Sequence, residues 1–203
     1  MKITKITQQV KRASRYSIFV DEKYSFSLSE SALLEAGLAS GQELTKEQVA
    51  EFKKLSADDK VYGMALRWIA MRPRTGWEIE QYLKRKEASP ALIEIILNKL
   101  SIIGLIDDEK LAKAFVNDRR LLRPAPRRKI ILELRKKHVA EDIIREAVGN
   151  DSDDERTALA AVIERKRRQS KYQDDLKLMQ YLARQGFNYG DIKAALEHSR
   201  EDN

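Results

Sequence analysis

The 203-residue chain contains no cysteine, which excludes disulfides and thiolate metal centres. Its two histidines are equally uninformative as chemistry. His138 sits in a basic turn and His198 in the tail, and no motif surrounds either. No glycine-rich phosphate loop is present. The acidic clusters Asp107-Asp108-Glu109 and Asp151 to Glu155 could hold a cation. Acids at a helix start are favoured by the helix dipole, however, and that accounts for them. Neither catalysis nor a cofactor or metal is expected. Four prolines and eight glycines are few, as suits long helices rather than many short strands. No apolar run approaches the ~18–20 residues of a membrane span. The opening MKITKITQQV lacks the apolar core of a signal peptide. A soluble cytoplasmic protein away from membranes is expected.

What the chain does have is charge, at 35% of residues, beside 42% hydrophobic residues. That balance suits helices with one apolar stripe and one solvated face. The net charge is +7, from 39 basic and 32 acidic residues, and it is unevenly spread. Residues 151–203 are nearly balanced, with 10 basic and 11 acidic. Arg119 to Lys137 instead holds nine basic residues and one acid, Glu133. A solvated helix face is the ordinary explanation of a charge run. An excess this dense also attracts phosphate backbones or an acidic protein surface.

A spacing recurs three times. From Leu83, offsets of −4, +10, +13 and +14 reach Ile79, Ile93, Ile96 and Leu97. From Leu134 they reach Ile130, Ile144, Ala147 and Val148, and from Leu182 they reach Leu178, Ile192, Ala195 and Leu196. All are apolar, and the origins are 51 and 48 residues apart. Eight residues before each origin stands a helix-start residue: Thr75, Pro126 or Asp174. Thr75-Gly-Trp-Glu78 has the form of a capping box. A near-constant period of this length marks a repeat array.

In chain order, residues 1–55 read as a small α+β module. Tyr16, Ile18 and Val20 alternate with polar residues, although Phe19 breaks the pattern. Asp21-Glu-Lys23 is a turn, and Tyr24, Phe26 and Leu28 alternate again, giving a hairpin. Ile3, Ile6 or Val10 could add a third strand. Ser29 to Leu38 reads as a short helix, and Thr45-Lys-Glu-Gln48 opens another to about Leu55. Ser56-Ala-Asp-Asp59 then reads as a new helix start. Three-helix repeats are expected over 56–106, 107–150 and 151–203, the last beginning its helix at Asp154 after a polar connector. The tail from Ser199 is expected to fray. One such repeat cannot bury its own stripe, whereas stacked neighbours can. The fold class is therefore mainly α: an elongated curved array of three tandem three-helix repeats, plus the N-terminal module.

Trp77, Tyr82 and Tyr181 stand among basic residues and could stack on bases, but helical spacing also makes Tyr82 and Tyr181 core neighbours. Short helix pairs with basic turns permit a direct DNA-binding protein with helix-turn-helix-like repeats. They equally permit a helical scaffold for another acidic partner.

The run Leu100-Ser-Ile-Ile-Gly-Leu-Ile-Asp-Asp-Glu-Lys-Leu-Ala-Lys-Ala-Phe-Val116 resembles the signature of the RecX family of recombinase regulators. Arg74-Thr75 and Tyr82-Leu-Lys-Arg-Lys86 precede it, as in that family. Tyr181-Leu-Ala-Arg-Gln-Gly-Phe187, followed by Asp191-Ile-Lys-Ala-Ala-Leu196, resembles its C-terminal repeat. The resemblance covers about residues 60–200, and the N-terminal module resembles the strand-bearing extension of some members. One departure concerns turns. The family often has Lys-Gly after the middle helix of each repeat, where this chain has Lys86-Glu87 and Lys137-His138. Gly186 alone is kept.

The resemblance implies a non-catalytic regulator that binds the RecA recombinase, chiefly its filament on DNA, and restrains ATP hydrolysis and strand exchange. Weak direct DNA binding could accompany this, and a monomer is expected. On this reading Arg119, Arg120, Arg123, Arg127, Arg128, Lys129, Lys136 and Lys137 supply the attractive surface. Lys84, Arg85 and Lys86, and Arg165, Lys166, Arg167 and Arg168, extend it.

Overall fold

The alternating residues near the N-terminus form three antiparallel strands, in a computed structural model that describes residues 1–149 and 152–201. β1 (Ile3–Gln9), β2 (Arg12–Val20) and β3 (Lys23–Ser29) pair in chain order. Asp21 and Glu22 form the β2–β3 turn, both at positive φ (48° and 65°), which is the geometry a tight two-residue hairpin loop requires. Phe19 breaks the alternation for a local reason. Ile18 pairs with Phe26 but Phe19 with Tyr24, so Ser25 is an extra residue in β3 and the strand bulges. Phe19 packs edge-on against Tyr24, with ring centroids 6.1 Å apart.

α1 (Glu30–Glu35) starts at Ser29, whose hydroxyl accepts from the Ala32 N–H. α2 (Lys46–Ala70) starts at the Thr45–Gln48 capping box, where both reciprocal bonds are present. Ile3, Ile18, Phe26, Leu28, Leu44 and Val49 make the core between sheet and helices.

The sequence pattern placed a helix end near Leu55 and a new start at Ser56. The structure corrects this: α2 runs unbroken for 25 residues. Ser56 and Asp59, cap-like in sequence, are polar anchors inside the first core. The Ser56 hydroxyl donates to the Ser27 carbonyl at 2.6 Å. Asp59 accepts from the Ser29 N–H at 2.8 Å and the Ser29 hydroxyl at 2.6 Å. It also pairs with Arg15 at 2.8 Å, both side chains less than a tenth exposed. Arg15 donates a further bond of 2.7 Å to the Ser27 carbonyl. A buried pair that is also hydrogen-bonded fixes register as much as it stabilises.

The chain divides into two compact units, Met1–Pro73 with Ile79–Ile103, and Arg74–Glu78 with the residues from Gly104 onwards. The first unit contains the sheet, α1, α2, most of α3 (Gly76–Lys84) and α4 (Pro90–Ile102). Ile79, Leu83, Ile93, Ile96 and Leu100 are buried there. Trp68 stacks on Tyr82 with centroids 4.4 Å apart.

The second unit contains α5 (Asp108–Leu121), α6 (Arg127–Lys136) and α7 (Glu141–Val148) around Ala112, Val116, Ile130, Leu134, Ile144 and Val148. It also contains α8 (Ser152–Arg167), α9 (Asp175–Gln185) and α10 (Tyr189–Glu201) around Leu159, Val162, Leu178, Leu182, Ile192 and Leu196. Offsets −4, 0 and +10 are thus buried in every repeat, whereas Leu97, Ala147 and Ala195 at the remaining offsets are half-buried. α8 begins at Ser152 rather than at Asp154, and α10 continues to Glu201 where fraying was expected. Asn150, Asp151, Asp202 and Asn203 lie outside the described residues, as does the His198 side chain.

The turn after the middle helix is the same in all three repeats, despite the missing glycines. Glu87 and His138 take positive φ (58° and 54°), as Gly186 does at 104°. The next N–H returns to the origin carbonyl each time: Ala88 to Leu83 at 3.2 Å, Val139 to Leu134 at 3.3 Å, and Phe187 to Leu182 at 3.3 Å. Left-handed backbone at a non-glycine residue costs about 1–2 kcal/mol, so tertiary packing overrides local preference at Glu87 and His138.

Candidate partner-binding surface

The basic run from Arg119 to Lys137 spans the end of α5, the Pro124-Ala125-Pro126 connector and all of α6. Pro126 is the N-cap residue of α6 and supplies no side-chain cap bond. Proline does supply a fixed φ at the helix entry. α6 buries Ile130 and Leu134, which points the intervening charges away from the core.

The run is not one uniform surface. Arg119 donates through Nε to Glu133 at 2.7 Å and lies over the Phe115 ring. Arg120 caps the α7 carbonyl of Val148 at 2.9 Å and pairs with Asp154 at 2.5 Å. Arg127 is half-buried, and its charge counteracts the burial that raises the Glu155 carboxyl above its ordinary range. Lys129 donates to the Gln185 side-chain oxygen at 3.0 Å, and Lys137 lies 3.7 Å from Glu78. Arg123, Arg128 and Lys136 are exposed and have no partner among the described residues.

Of the flanking basic residues, Lys84 pairs with Glu80 at 2.6 Å, and Lys86 lies over the Tyr82 ring. Arg85 is exposed. These three belong to the first unit. In the second unit, Lys166 lies over the rings of Tyr181 and Tyr172. Arg167 binds the Tyr172 and Gln173 carbonyls and Asp175. Arg168 pairs with Glu164. Arg165 is exposed, without a partner among the described residues.

Sequence-distant members of the set meet at one place. A cavity of about 470 Å³ is bounded by Arg119 and Arg123 of the α5 end, Lys129 and Glu133 of α6, and Arg165 of α8. Tyr181, Gln185 and Phe187 close it from α9 and the turn beyond, and Pro124 and Pro126 form another wall. Gln185 is a site member that charge counting missed, and Glu133 and Tyr181 are members that the sequence named without bringing them together. The signal available for Gln185 was register: Lys129 and Gln185 stand at offsets −5 and +3 from successive origins.

The same offsets define a second contact in this unit. Glu78 and Lys137 occupy −5 and +3 there. Around them, the Thr75 hydroxyl donates to the Lys137 carbonyl at 2.9 Å while accepting from the Glu78 N–H at 3.2 Å. Trp77 stacks on His138 with centroids 3.7 Å apart. The Gly76 N–H donates to Asp108 at 3.0 Å. Burial raises the Asp108 carboxyl, the Gly76 bond opposes this, and Asp107 and Glu78 add to it. Trp77 and Tyr82 thus stack on protein rings. Among the described residues, no group of three or more His, Cys, Asp or Glu residues is placed to hold a metal ion. No helix among them is long and apolar enough to cross a membrane.

Fold and surface together define a mainly helical protein of three three-helix domains and a small three-stranded sheet, with its densest positive charge on the second three-helix domain. Family comparison gives the same division. Residues 1–45 match the regulatory protein RecX N-terminal domain, and residues 62–100, 107–148 and 153–196 match the first, second and third RecX three-helix domains. The chain belongs to the RecX family of regulatory proteins. It is 30% identical to regulatory protein RecX of Bacillus subtilis over 206 residues, covering 99% of this chain and 78% of that one. It is 36% identical to that of Lactobacillus johnsonii over 154 residues, covering 75% of this chain but only 56% of the relative. A crystal structure of a regulatory protein RecX superposes with a TM-score of 0.73 at 28% identity, covering 97% of this chain and 98% of that one.

Proposed function

We propose that the chain binds the RecA recombinase and its filament on DNA and restrains ATP hydrolysis and strand exchange, without catalysing a reaction itself. Family membership in all four parts of the chain supports a regulator. The observation that carries the surface assignment is the group Arg123, Arg128, Lys136 and Arg165, exposed cations with no partner among the described residues. Charges already held by carboxylates contribute little to recruiting a partner, whereas unmatched ones steer and hold it.

The test is RecA ATPase activity on single-stranded DNA, with and without the chain, at low and high salt. Wild type lowers the rate. A charge-reversed Arg123/Arg128/Lys136 variant stays folded, because none of these side chains holds an internal partner, and it loses the inhibition. Unchanged inhibition by a folded variant would remove this surface from the interface.

Direct DNA binding is the second reading, favoured by the same unmatched charges. It is separated by salt titration without the recombinase. A phosphate-driven complex weakens with a log–log slope of about −0.7 to −0.9 per neutralised phosphate.

A further inference from the structure

We propose that the cavity between α5, α6, α8 and α9 is a binding site for a terminal phosphate, the phosphomonoester of a nucleotide or of a phosphorylated strand end. The proposal goes beyond the recombinase reading and does not rest on it.

Its basis is a local excess of charge in a concave place. Among the cavity's cations, Arg119 is matched by Glu133 at 2.7 Å. Arg123, Lys129 and Arg165 face the same space without a carboxylate partner among the described residues. Lys129 has one hydrogen bond, to Gln185, and an ammonium has three N–H groups to give. Three surplus cations crowded around one cavity repel each other, and an anion between them relieves that repulsion.

The geometry selects among anions. A carboxylate or an internal phosphodiester carries one negative charge. A phosphomonoester carries close to two at neutral pH, on three acceptor oxygens, and guanidinium forks suit those oxygens. A cavity of about 470 Å³ lies within the ~300–1,000 Å³ range of small-molecule sites and leaves room beyond the phosphate. Its lining also includes Pro124, Pro126 and Tyr181, apolar and aromatic surface of the kind a sugar and base pack against. Flat tracking of a phosphodiester backbone does not explain the convergence of these cations on one concave place.

The test measures binding of the full chain to a short 5′-phosphorylated oligonucleotide, without recombinase. The control is a 5′-hydroxyl oligonucleotide one nucleotide longer, which carries the same number of phosphates. The phosphorylated strand should bind about tenfold more tightly. An Arg123→Gln/Arg165→Gln variant, both positions being exposed, should fold normally and lose the difference while keeping weak binding to both strands. A second arm compares 5′-AMP, adenosine and inorganic phosphate by calorimetry. AMP binding that the variant loses, without any strand preference, supports the site and identifies free nucleotide as the source. Equal binding of both strands together with no discrimination of AMP from adenosine overturns the proposal. So does displacement of the phosphorylated strand by a glutamate-rich peptide at lower concentration than by AMP, which would mark an acidic-peptide site.

Discussion

The start of α3 and the start of α6 occupy equivalent places in successive repeats, yet one meets its facing turn tightly and the other leaves a cavity. Register is shared: offset −5 reaches offset +3 of the next repeat in both, as Glu78 to Lys137 and as Lys129 to Gln185. Side chains differ at three neighbouring positions. Thr75 bridges to the Lys137 carbonyl, whereas Pro126 has no hydroxyl to give. Trp77 stacks on His138, whereas Arg128 stands where the tryptophan would be and Gly186 where the histidine would be. The charge at −5 is acidic in the first contact and basic in the second. A repeat array can therefore keep its stacking register while converting one contact from a seal into a charged opening, through a few substitutions outside the core.

Breaking the seal is expected to have the largest effect. Thr75→Ala removes a helix cap and leaves the partly buried Lys137 carbonyl without the Thr75 donor. The two losses together should lower stability by about 2–3 kcal/mol. The counterpart Pro126→Ala removes no hydrogen bond and should cost about 1 kcal/mol or less, through the freedom returned to the unfolded chain. Urea midpoints at unchanged slope measure both. Equal losses at the two positions would mean that the Thr75 bridge is not what distinguishes the contacts.

The turns come next. Glu87→Gly relieves a left-handed residue that makes no aromatic stack, and should stabilise by about 1 kcal/mol. His138→Gly relieves the same strain but forfeits the Trp77 stack, a contact of about 0.5–1.5 kcal/mol. The gains cancel and the variant should be close to neutral. A His138→Gly variant as stabilised as Glu87→Gly would show that the stack contributes nothing to the seal.

A smaller effect is expected from copying the first contact into the second. Lys129→Glu with Gln185→Lys reproduces the Glu78–Lys137 pairing, and such half-exposed pairs contribute at most about 0.5 kcal/mol. Thermal unfolding should barely move. The preference for a 5′-phosphorylated strand should fall with the cavity's positive surplus, and its survival would detach that preference from Lys129.

Much of this was legible in the sequence, because it is local. Cap residues at offset −8 and apolar residues at −4, +10 and +14 declare themselves within about 25 residues, so three-helix units and their starts at Thr75, Pro126 and Asp174 could be placed. What stayed hidden depends on distant partners. Ser56-Ala-Asp-Asp59 has the residue types of a helix start. Only Ser27, Ser29 and Arg15 of the sheet make it the middle of α2. The basic run read as one patch because Arg119, Arg120 and Lys137 cannot be told from Arg123 and Lys136 until Glu133, Asp154 and Glu78 arrive beside them. Nothing in the sequence brings Arg165 to the same cavity as Arg123.

The smallest effect concerns Asp108, which accepts from the Gly76 N–H beside the seal. Its folded-state pKa is raised above the ordinary 3.8, by burial first. The fold therefore favours the protonated form. That contribution is fully present below the unfolded pKa and is lost as pH rises through the folded one. At neutral pH the ionised carboxylate is a burden, partly offset because it sits at the start of α5, where the helix dipole favours an anion. Asp108→Asn keeps an oxygen for Gly76 and carries no charge. It should be slightly more stable than wild type at pH 7 and lose that advantage as pH falls through the raised folded pKa and below the ordinary carboxylate range, where Asp108 is itself protonated. An advantage that persists in acid would have to come from packing rather than charge. The contact at the start of α6 would then differ from the one at the start of α3 in shape before it differs in electrostatics.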